Sequence, residues 1–216
     1  MRVGYFIPTF NQLDWVRTKH LPSLNTDGLE FVYVHSNNAQ KFFKLEVPMK
    51  VPVFYSHSEV NLGVAKSWNF FCELAREEGL DAVVIANDDI ILFDDTVITM
   101  LNKLKECPRD FIAYNGDTAF SLFTLPLSVF NLVGKFDENF YPAYFEDNDY
   151  VMRMKLNNIT MHYLESPGYY HQGSSTIRAL SPSELEVHHQ VFRKNQAYYV
   201  QKWGGLPGNE SPTTKG

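Results

Sequence analysis

The first half of the chain alternates short apolar runs with segments of helical pattern, and this alternation restricts the possible folds more than any other feature. The runs rich in β-branched and aromatic residues are Val3–Ile7, Phe31–His35, Val51–Ser56 and Val83–Ala86. The helical candidates between them are Gln12–His20, with Asn11 as a possible N-cap, and Val64–Glu78, which Gly79 would terminate. Strands that alternate with helices require crossover connections. We therefore expect an α/β protein with a mostly parallel sheet and its ligands at the carboxyl ends of the strands.

The second half of the chain predicts further helices and a loose end. The predicted helices are Thr96–Glu106, which should end before Pro108, a helix over about Asp147–Lys155, and one that runs from the capping box Ser181-Pro182-Ser183-Glu184 to about Lys202. We expect residues 1–205 to form a single domain. Residues 206–216, which are rich in Gly, Pro, Ser and Thr, should be a flexible tail.

Composition excludes several classes of protein. The 216 residues carry a formal net charge of −6, without the basic excess that nucleic-acid binding normally requires. The two cysteines, Cys72 and Cys107, offer neither a disulfide framework nor a thiolate metal cluster. The apolar start at Val3–Ile7 is interrupted by Pro8 and is too short for a signal sequence or a membrane span. We expect a cytoplasmic protein that does not bind nucleic acid.

Three polar residues interrupt an apolar segment where the strand Val83–Ala86 ends. Asn87, Asp88 and Asp89 come directly after it, at the edge of the sheet where ligands bind. Carboxylate oxygens are the ligands that hard divalent cations prefer, and such an ion can bridge a diphosphate. Asp89 is the first candidate for a metal ligand and Asp88 the second. Alternatively, the two acids start a turn or belong to a solvated acidic loop.

A second acidic cluster is set among aromatic residues between Phe136 and Tyr150. Burial beside aromatic rings would raise the pKa of Glu146, Asp147 or Asp149 and improve each as a proton acceptor. Asp147 is our candidate for a general base. All three acids would also be stabilised by the dipole of a helix that begins here, which is the structural alternative.

His171 lies in a loop flanked by Gly168 and Gly173, after a predicted strand. One imidazole with one or two carboxylates could complete the protein's share of a Mn²⁺ or Mg²⁺ site. A lone histidine is otherwise more often structural. His188 and His189, inside the last predicted helix, are interpreted as surface or packing residues.

Together these motifs resemble the inverting family-2 glycosyltransferases of the GT-A fold, of the kind found in bacteria and large viruses. The matching segments, in the family's order, are Ile7-Pro8-Thr9-Phe10-Asn11, Asn61-Leu62-Gly63-Val64-Ala65, Asn87-Asp88-Asp89 at the place of the DxD motif, and Glu146-Asp147-Asn148-Asp149. The likeness extends over about Val3–Gly205. It departs from the family at Asn37-Asn38, which lack the aspartate often placed near the nucleobase, and at Asn87, which replaces the first acid of DxD.

The resemblance implies a GT-A fold, in which a mixed, mostly parallel sheet is flanked by helices, and it implies roles for single residues. Contacts to a nucleotide-sugar are implied for Pro8, Thr9, Phe10, Asn11, Asn37, Asn61, Gly63, Lys66, Asn87 and Asp88. Metal binding of Mn²⁺ or Mg²⁺ is implied for Asp89, His171 and Asp88, and catalysis for Asp147, with Glu146 and Asp149 beside it. Lys66 is equally well interpreted as a solvated lysine on a helix surface.

The resemblance further implies transfer of a hexosyl or deoxyhexosyl group from a nucleotide-diphospho-sugar, with UDP as the leading nucleotide. The acceptor would be a hydroxyl of a glycan or glycoprotein, and the protein would work in the cytoplasm, that of the host if it is viral. Two other functions remain open: a non-catalytic module that binds glycans or nucleotide-sugars, and a sugar nucleotidyltransferase. Against the second, the first strand loop lacks the glycine-rich basic sequence suited to a triphosphate.

Overall fold

The structure is a computed structural model that describes residues 1–38, 48–114, 116–165, 168–173 and 181–211, with the backbone alone at 116–118 and 184. Its strands are β1 Val3–Thr9, β2 Phe31–Ser36, β3 Val53–His57, β4 Ala82–Ala86, β5 Ile90–Leu92, β6 Phe111–Tyr114, β7 Leu122–Pro126, β8 Met161–Leu164 and β9 Tyr169–His171. The helices of the described residues are α1 Leu13–Trp15, α2 Leu21–Ser23, α3 Val64–Glu77, α4 Thr96–Glu106, α5 Leu127–Val133, α6 Glu146–Leu156 and α7 Pro182–Trp203. A π-helical turn, Val16–His20, joins α1 to α2, and a 3₁₀ turn spans Gly116–Ser121.

Seven strands form the central sheet, in the order β3-β2-β1-β4-β7-β6-β8. The pairs β1–β2, β1–β4, β2–β3 and β6–β8 are parallel, whereas β7 is antiparallel to both β4 and β6. β5 and β9 form a separate antiparallel ribbon of two strands. The prediction of a mixed, mostly parallel sheet is therefore confirmed, and the carboxyl ends of β1, β2 and β4 meet at one edge.

Apolar side chains cover both faces of the sheet because successive residues of a strand point to opposite sides. Along β1, Phe6 packs with α3 and α5 on one face, whereas Tyr5 and Ile7 pack with the π-helical turn and α4 on the other. β4 divides in the same way, with Val83 and Ile85 on the α3 face. The sheet is thus the middle layer of three.

Helix α3 forms where the sequence predicts it, because its apolar residues recur on one side. That side buries Ala65, Trp68, Phe71, Cys72 and Ala75. Gly79 terminates the helix with a φ of +65°, and its N–H donates to the carbonyl of Arg76 at 3.1 Å. Helix α4 also has the predicted bounds.

Three local predictions differ from the structure or lie outside it. Asn11 is not the N-cap of the first helix: it has a φ of +61°, and Gln12 occupies the cap position without a side-chain hydrogen bond. The side chain of Glu184 lies outside the described residues, as do residues 212–216 of the predicted tail. Within the tail, Glu210 accepts a hydrogen bond from the hydroxyl of Tyr199 at 2.5 Å, and the N–H of Ser211 donates to the carbonyl of Trp203 at 3.0 Å.

The long helix α7 is mostly exposed, and among its described side chains Asn195, Tyr199 and Trp203 are buried. Within the part of the chain that the structure describes, no helix combines the length and the apolar character that a membrane crossing requires.

Candidate active site

A cleft of about 1040 Å³ opens at the carboxyl edge of the sheet. The predicted site residues that line it are Pro8, Thr9, Phe10, Asn37, Asn61, Gly63, Asn87, Asp88, Asp89, Glu146, Asp147 and His171. They come from six separate parts of the sequence, and the fold brings them to one cavity. The corner at Asn87–Asp89 and the start of α6 therefore face a shared space.

Asp88 connects the end of β4 to the loop after β1. Its Oδ2 accepts a hydrogen bond from the backbone N–H of Phe10 at 3.0 Å. Burial, together with the neighbouring charge of Asp89, raises the pKa of Asp88 to about 7. The same carboxylate thus fixes the first loop, and burial makes its ionised form costly in the cleft.

Asp89 and His171 meet across the ribbon of β5 and β9. The register of that ribbon pairs Ile90 with His171, and His171 Nε2 lies 3.0 Å from Asp89 Oδ1. The hydrogen bond to Asp89 raises the pKa of His171, while partial burial opposes that shift. Ser121 Oγ lies 3.5 Å from the other ring nitrogen of His171. The two predicted metal ligands are therefore neighbours, although 82 residues separate them in the chain.

These donors are chemically suited to a divalent cation. Asp89 and His171 offer a hard carboxylate oxygen and one nitrogen that lie 3.0 Å apart, a pair that suits Mn²⁺ or Mg²⁺, whereas Oδ2 of the neighbouring Asp88 is held by the N–H of Phe10. The metal itself stays a prediction.

The other side of the cleft is formed by the ends of β1 and β2 with the loop before α3. Asn37 is buried, and its amide donates to Ser67 Oγ at 2.9 Å and accepts from the N–H of Leu62 at 3.4 Å. Asn61 accepts a hydrogen bond from the N–H of Gly63 at 2.8 Å. These bonds give the loop a fixed shape, so its backbone is preorganised for a ligand.

Glu146 and Asp147 begin α6, and both line the cleft. Two consecutive residues with left-handed backbone geometry precede them, Tyr144 at a φ of +81° and Phe145 at +73°. Burial and the charge of Asp147 raise the pKa of Glu146 well above its usual value. Burial also raises the pKa of Asp147, against the N–H of Asn148, which donates to it at 2.8 Å. Both acids reach the cleft with improved proton affinity.

Three residues predicted for the site do not line the cleft: Asn11, Lys66 and Asp149. Asn11 is exposed at the surface, where its side-chain oxygen accepts from the amide of Asn38. Lys66 is exposed on the surface of α3, which agrees with its interpretation as a solvated lysine.

Asp149 has a structural position that its sequence context did not reveal. It is fully buried and accepts hydrogen bonds from Arg153 at 2.9 Å and from the indole N–H of Trp203 at 3.0 Å, while Lys202 lies 2.6 Å away. A carboxylate saturated in this way has no free oxygen for a substrate. We therefore assign Asp149 the task of joining α6 to α7.

Helix α7 brings residues to the cleft that sequence reasoning placed elsewhere. His188, interpreted above as a surface or packing residue, lines the cleft, and its Nε2 lies 2.6 Å from the hydroxyl of Tyr144. Val187 and Val191 lie one turn apart beside it. Their spacing of four residues was the available signal for an inward face, but it does not say which cavity that face meets.

Comparison with known proteins supplies one sequence relative. No family model matches the chain. A galactofuranosyl glycosyltransferase of Leishmania donovani is 33% identical over 93 residues, which is 43% of this chain and 19% of that protein. The chain spans about a fifth of the length of this curated relative.

Solved structures of S. aureus TarS share the fold. One superposes with a TM-score of 0.59 at 17% identity and covers 93% of this chain and 40% of that chain. The complex of TarS residues 1–349 with UDP-GlcNAc gives a TM-score of 0.59 at 16% identity, over 93% of this chain and 67% of the other. The complex with UDP gives 0.59 at 17% identity, over 90% of this chain and 65% of the other. The prediction of a GT-A fold is confirmed by these likenesses.

Proposed function

We propose that this chain is a glycosyltransferase that moves a sugar from a nucleotide-diphospho-sugar to an acceptor hydroxyl of a glycan or glycoprotein, in a metal-dependent, inverting reaction. The observation that carries the proposal is the shared cleft, which joins the Asn87–Asp89 corner to Glu146 and Asp147. A leaving-group site and a separate proton acceptor that face one cavity are what a one-step displacement requires.

The donor would lie along the ends of β1, β2 and β4. Thr9, Phe10, Asn37 and Asn61 would contact the nucleoside, and Gly63, which also lines the cleft, would lie beside them. Asp88, Asp89 and His171 would hold a Mn²⁺ or Mg²⁺ ion, which supplies the positive charge that a departing diphosphate needs. UDP is the favoured nucleotide because TarS, which shares this fold, has been solved with UDP-GlcNAc and with UDP.

Asp147 would remove the acceptor proton. The acceptor oxygen forms its bond to the anomeric carbon as the bond from that carbon to the diphosphate oxygen breaks. The proton passes to the Asp147 carboxylate, and the nucleoside diphosphate leaves with the bonding electrons. One displacement inverts the anomeric configuration. Asp147 is preferred over Glu146 because the pKa of Glu146 is raised further, so Glu146 is the poorer candidate for an ionised base.

A hexose is the favoured group to be transferred. The name of the Leishmania relative specifies a galactofuranosyl group, and the bound donor of TarS carries an N-acetylhexosamine.

Incubation with a panel of UDP-sugars, with and without Mn²⁺, tests the proposal. We expect one donor to stabilise the fold in the presence of Mn²⁺ and to be hydrolysed slowly or transferred. Donor binding with no turnover towards water or any glycan would indicate a binding module instead. Turnover of a nucleoside triphosphate with a sugar phosphate would indicate a nucleotidyltransferase.

A further inference from the structure

A second group of metal-ligating side chains lies at the far end of the sheet from the cleft. Cys107 and Asp110 precede β6, and His162 lies near the start of β8, so the group is at the amino ends of strands whose carboxyl ends approach the cleft. The ligand atoms of the three side chains all lie within 4.8 Å of one another. None of the three lines the cleft.

The backbone holds these side chains together. The N–H of Asp110 donates to the carbonyl of Cys107 at 3.2 Å, which closes the turn between α4 and β6. The parallel register pairs Ile112 with His162, so β8 carries the imidazole to this turn. His162 Nε2 lies 2.8 Å from Asp110 Oδ2. All three side chains are half-buried, which leaves an approach for a small ion.

We propose that Cys107, Asp110 and His162 form a binding site for a borderline-soft divalent cation of the Zn²⁺ class. A thiolate, a carboxylate and a neutral imidazole carry a summed charge that balances a divalent ion. Thiolate sulfur favours Zn²⁺ over Mn²⁺ or Mg²⁺, so the site is chemically distinct from the carboxylate corner of the cleft. A single thiolate is compatible with Zn²⁺ because the ion also binds imidazole nitrogen and carboxylate oxygen.

The geometry requires only local adjustment. Tetrahedral ligands of Zn²⁺ lie roughly 3.3 to 3.6 Å from one another. His162 Nε2 and Asp110 Oδ2, now 2.8 Å apart, would move slightly apart to admit the ion. The sulfur of Cys107, which lies within 4.8 Å of both, would move closer. Rotation of the side chains would provide both changes. Three protein ligands leave the fourth position to water. Binding would tie the end of α4 to the edge strand β8 and so stabilise the fold.

The test uses the full chain, reduced and freed of metal by a chelator, in excess Mg²⁺ that occupies the carboxylates of the cleft. Co²⁺ and Zn²⁺ are the probes. We expect one equivalent of Co²⁺ to produce the near-ultraviolet absorption of a cobalt–thiolate bond, and one equivalent of Zn²⁺ to abolish it. Zn²⁺ should also raise the melting temperature.

Substitutions identify the ligands. Cys107→Ser should remove the absorption and the Zn²⁺-dependent rise in melting temperature, and His162→Gln and Asp110→Asn should weaken Co²⁺ binding about tenfold or more. The matched control, Cys72→Ala, removes a thiol that is buried elsewhere and should leave the absorption unchanged. The proposal is wrong if wild-type protein gives no absorption, or if the absorption survives Cys107→Ser or is unaffected by His162→Gln. Melting temperatures without metal show that each variant is folded.

Discussion

Glu146 and Asp147 are adjacent in the sequence but differ in their electrostatic surroundings. Glu146 is 5% exposed and carries the more strongly raised pKa, whereas Asp147 is half-buried and accepts a hydrogen bond from a backbone N–H. The sequence could predict that this cluster is special, since acids rarely occur among so many aromatic residues. It could not predict that the carboxylate of Asp149 is occupied by structural partners, because two of these partners, Trp203 and Lys202, lie far along the chain.

Asp147→Asn should reduce sugar transfer by roughly 10²-fold or more, because an amide cannot accept the acceptor proton. The affinity for the donor should change little, since the proposed donor contacts come from the ends of β1, β2 and β4 and not from α6. Steady-state transfer rates and donor titrations measure the two effects. Glu146→Gln is the paired variant: full transfer by Asp147→Asn with a loss in Glu146→Gln would move the base to Glu146.

Asp89→Ala should abolish the part of donor affinity that depends on Mn²⁺, because the variant loses a carboxylate of the proposed cation site. Calorimetric titration of UDP with and without Mn²⁺ measures this. Asp94→Ala removes an exposed acid a few residues later and should behave as wild type. An unchanged dependence on Mn²⁺ in Asp89→Ala would exclude the assigned role.

At the scale of elements, the loop before α3 and the segment before α6 are packed together through Gly63. Its φ is +77°, and a Cβ there would lie 2.9 Å from the carbonyl oxygen of Pro142. The N–H of Val64 donates to that same carbonyl at 2.8 Å. The sequence marked Gly63 as a ligand-binding glycine, but its close approach is to the protein's own backbone. The loop before α3 and the segment before α6 therefore depend on each other at this point.

Gly63→Ala should destabilise the fold by about 2 kcal/mol or more, from left-handed strain and from the clash with Pro142. Donor affinity should fall as well, because the loop must move. Gly208→Ala is the matched control, since Gly208 has a φ of +85° but open space around its Cα. Chemical denaturation of both variants measures the difference. Equal losses of stability would mean that the contact with Pro142 does not matter.

The elements themselves were largely predictable, whereas their meeting points were not. Periodicity located β1, β2, β4, α3 and α4 because each buries a regular set of apolar residues. Each strand of the ribbon of β5 and β9 has only three residues, too few for a pattern, and the ribbon pairs Ile90 with His171, far away in the chain. The position of His188 in the cleft likewise follows from how α7 packs rather than from local sequence.

At the scale of the whole molecule, folding buries the imidazole of His35 and favours its neutral form. His35, on β2, packs against the ring of Phe70 at 5.2 Å and lies 2.7 Å from Ser56 Oγ through Nδ1. Burial lowers the pKa of His35 to about 4, and the charge of His57 acts in the same direction. Below the ordinary histidine pKa of about 6.5, the His35 imidazole binds a proton in the unfolded chain but not in the folded chain.

The contribution of His35 to stability is thus full above about pH 6.5 and is lost as the pH falls towards 4. Between about pH 7.5 and 5, we expect the loss of this contribution to lower the free energy of unfolding of the wild type by about 1 kcal/mol, with solvent screening allowed for. His35→Leu should remove that part of the pH dependence. His57→Gln, which removes a more exposed histidine on the neighbouring strand, should remove little of it. Urea denaturation across this pH range measures the free energy of unfolding of each variant. The expectation is contradicted if this free energy depends on pH in the same way for wild type and His35→Leu.

The ribbon of β5 and β9 has a consequence for mutation. Although it is separate from the seven-stranded sheet, it sets the spacing between Asp89 and His171. Ile90 and Leu92 of β5 are also buried in the core, so a substitution there would disturb the pair of Asp89 and His171 together with the packing beneath it.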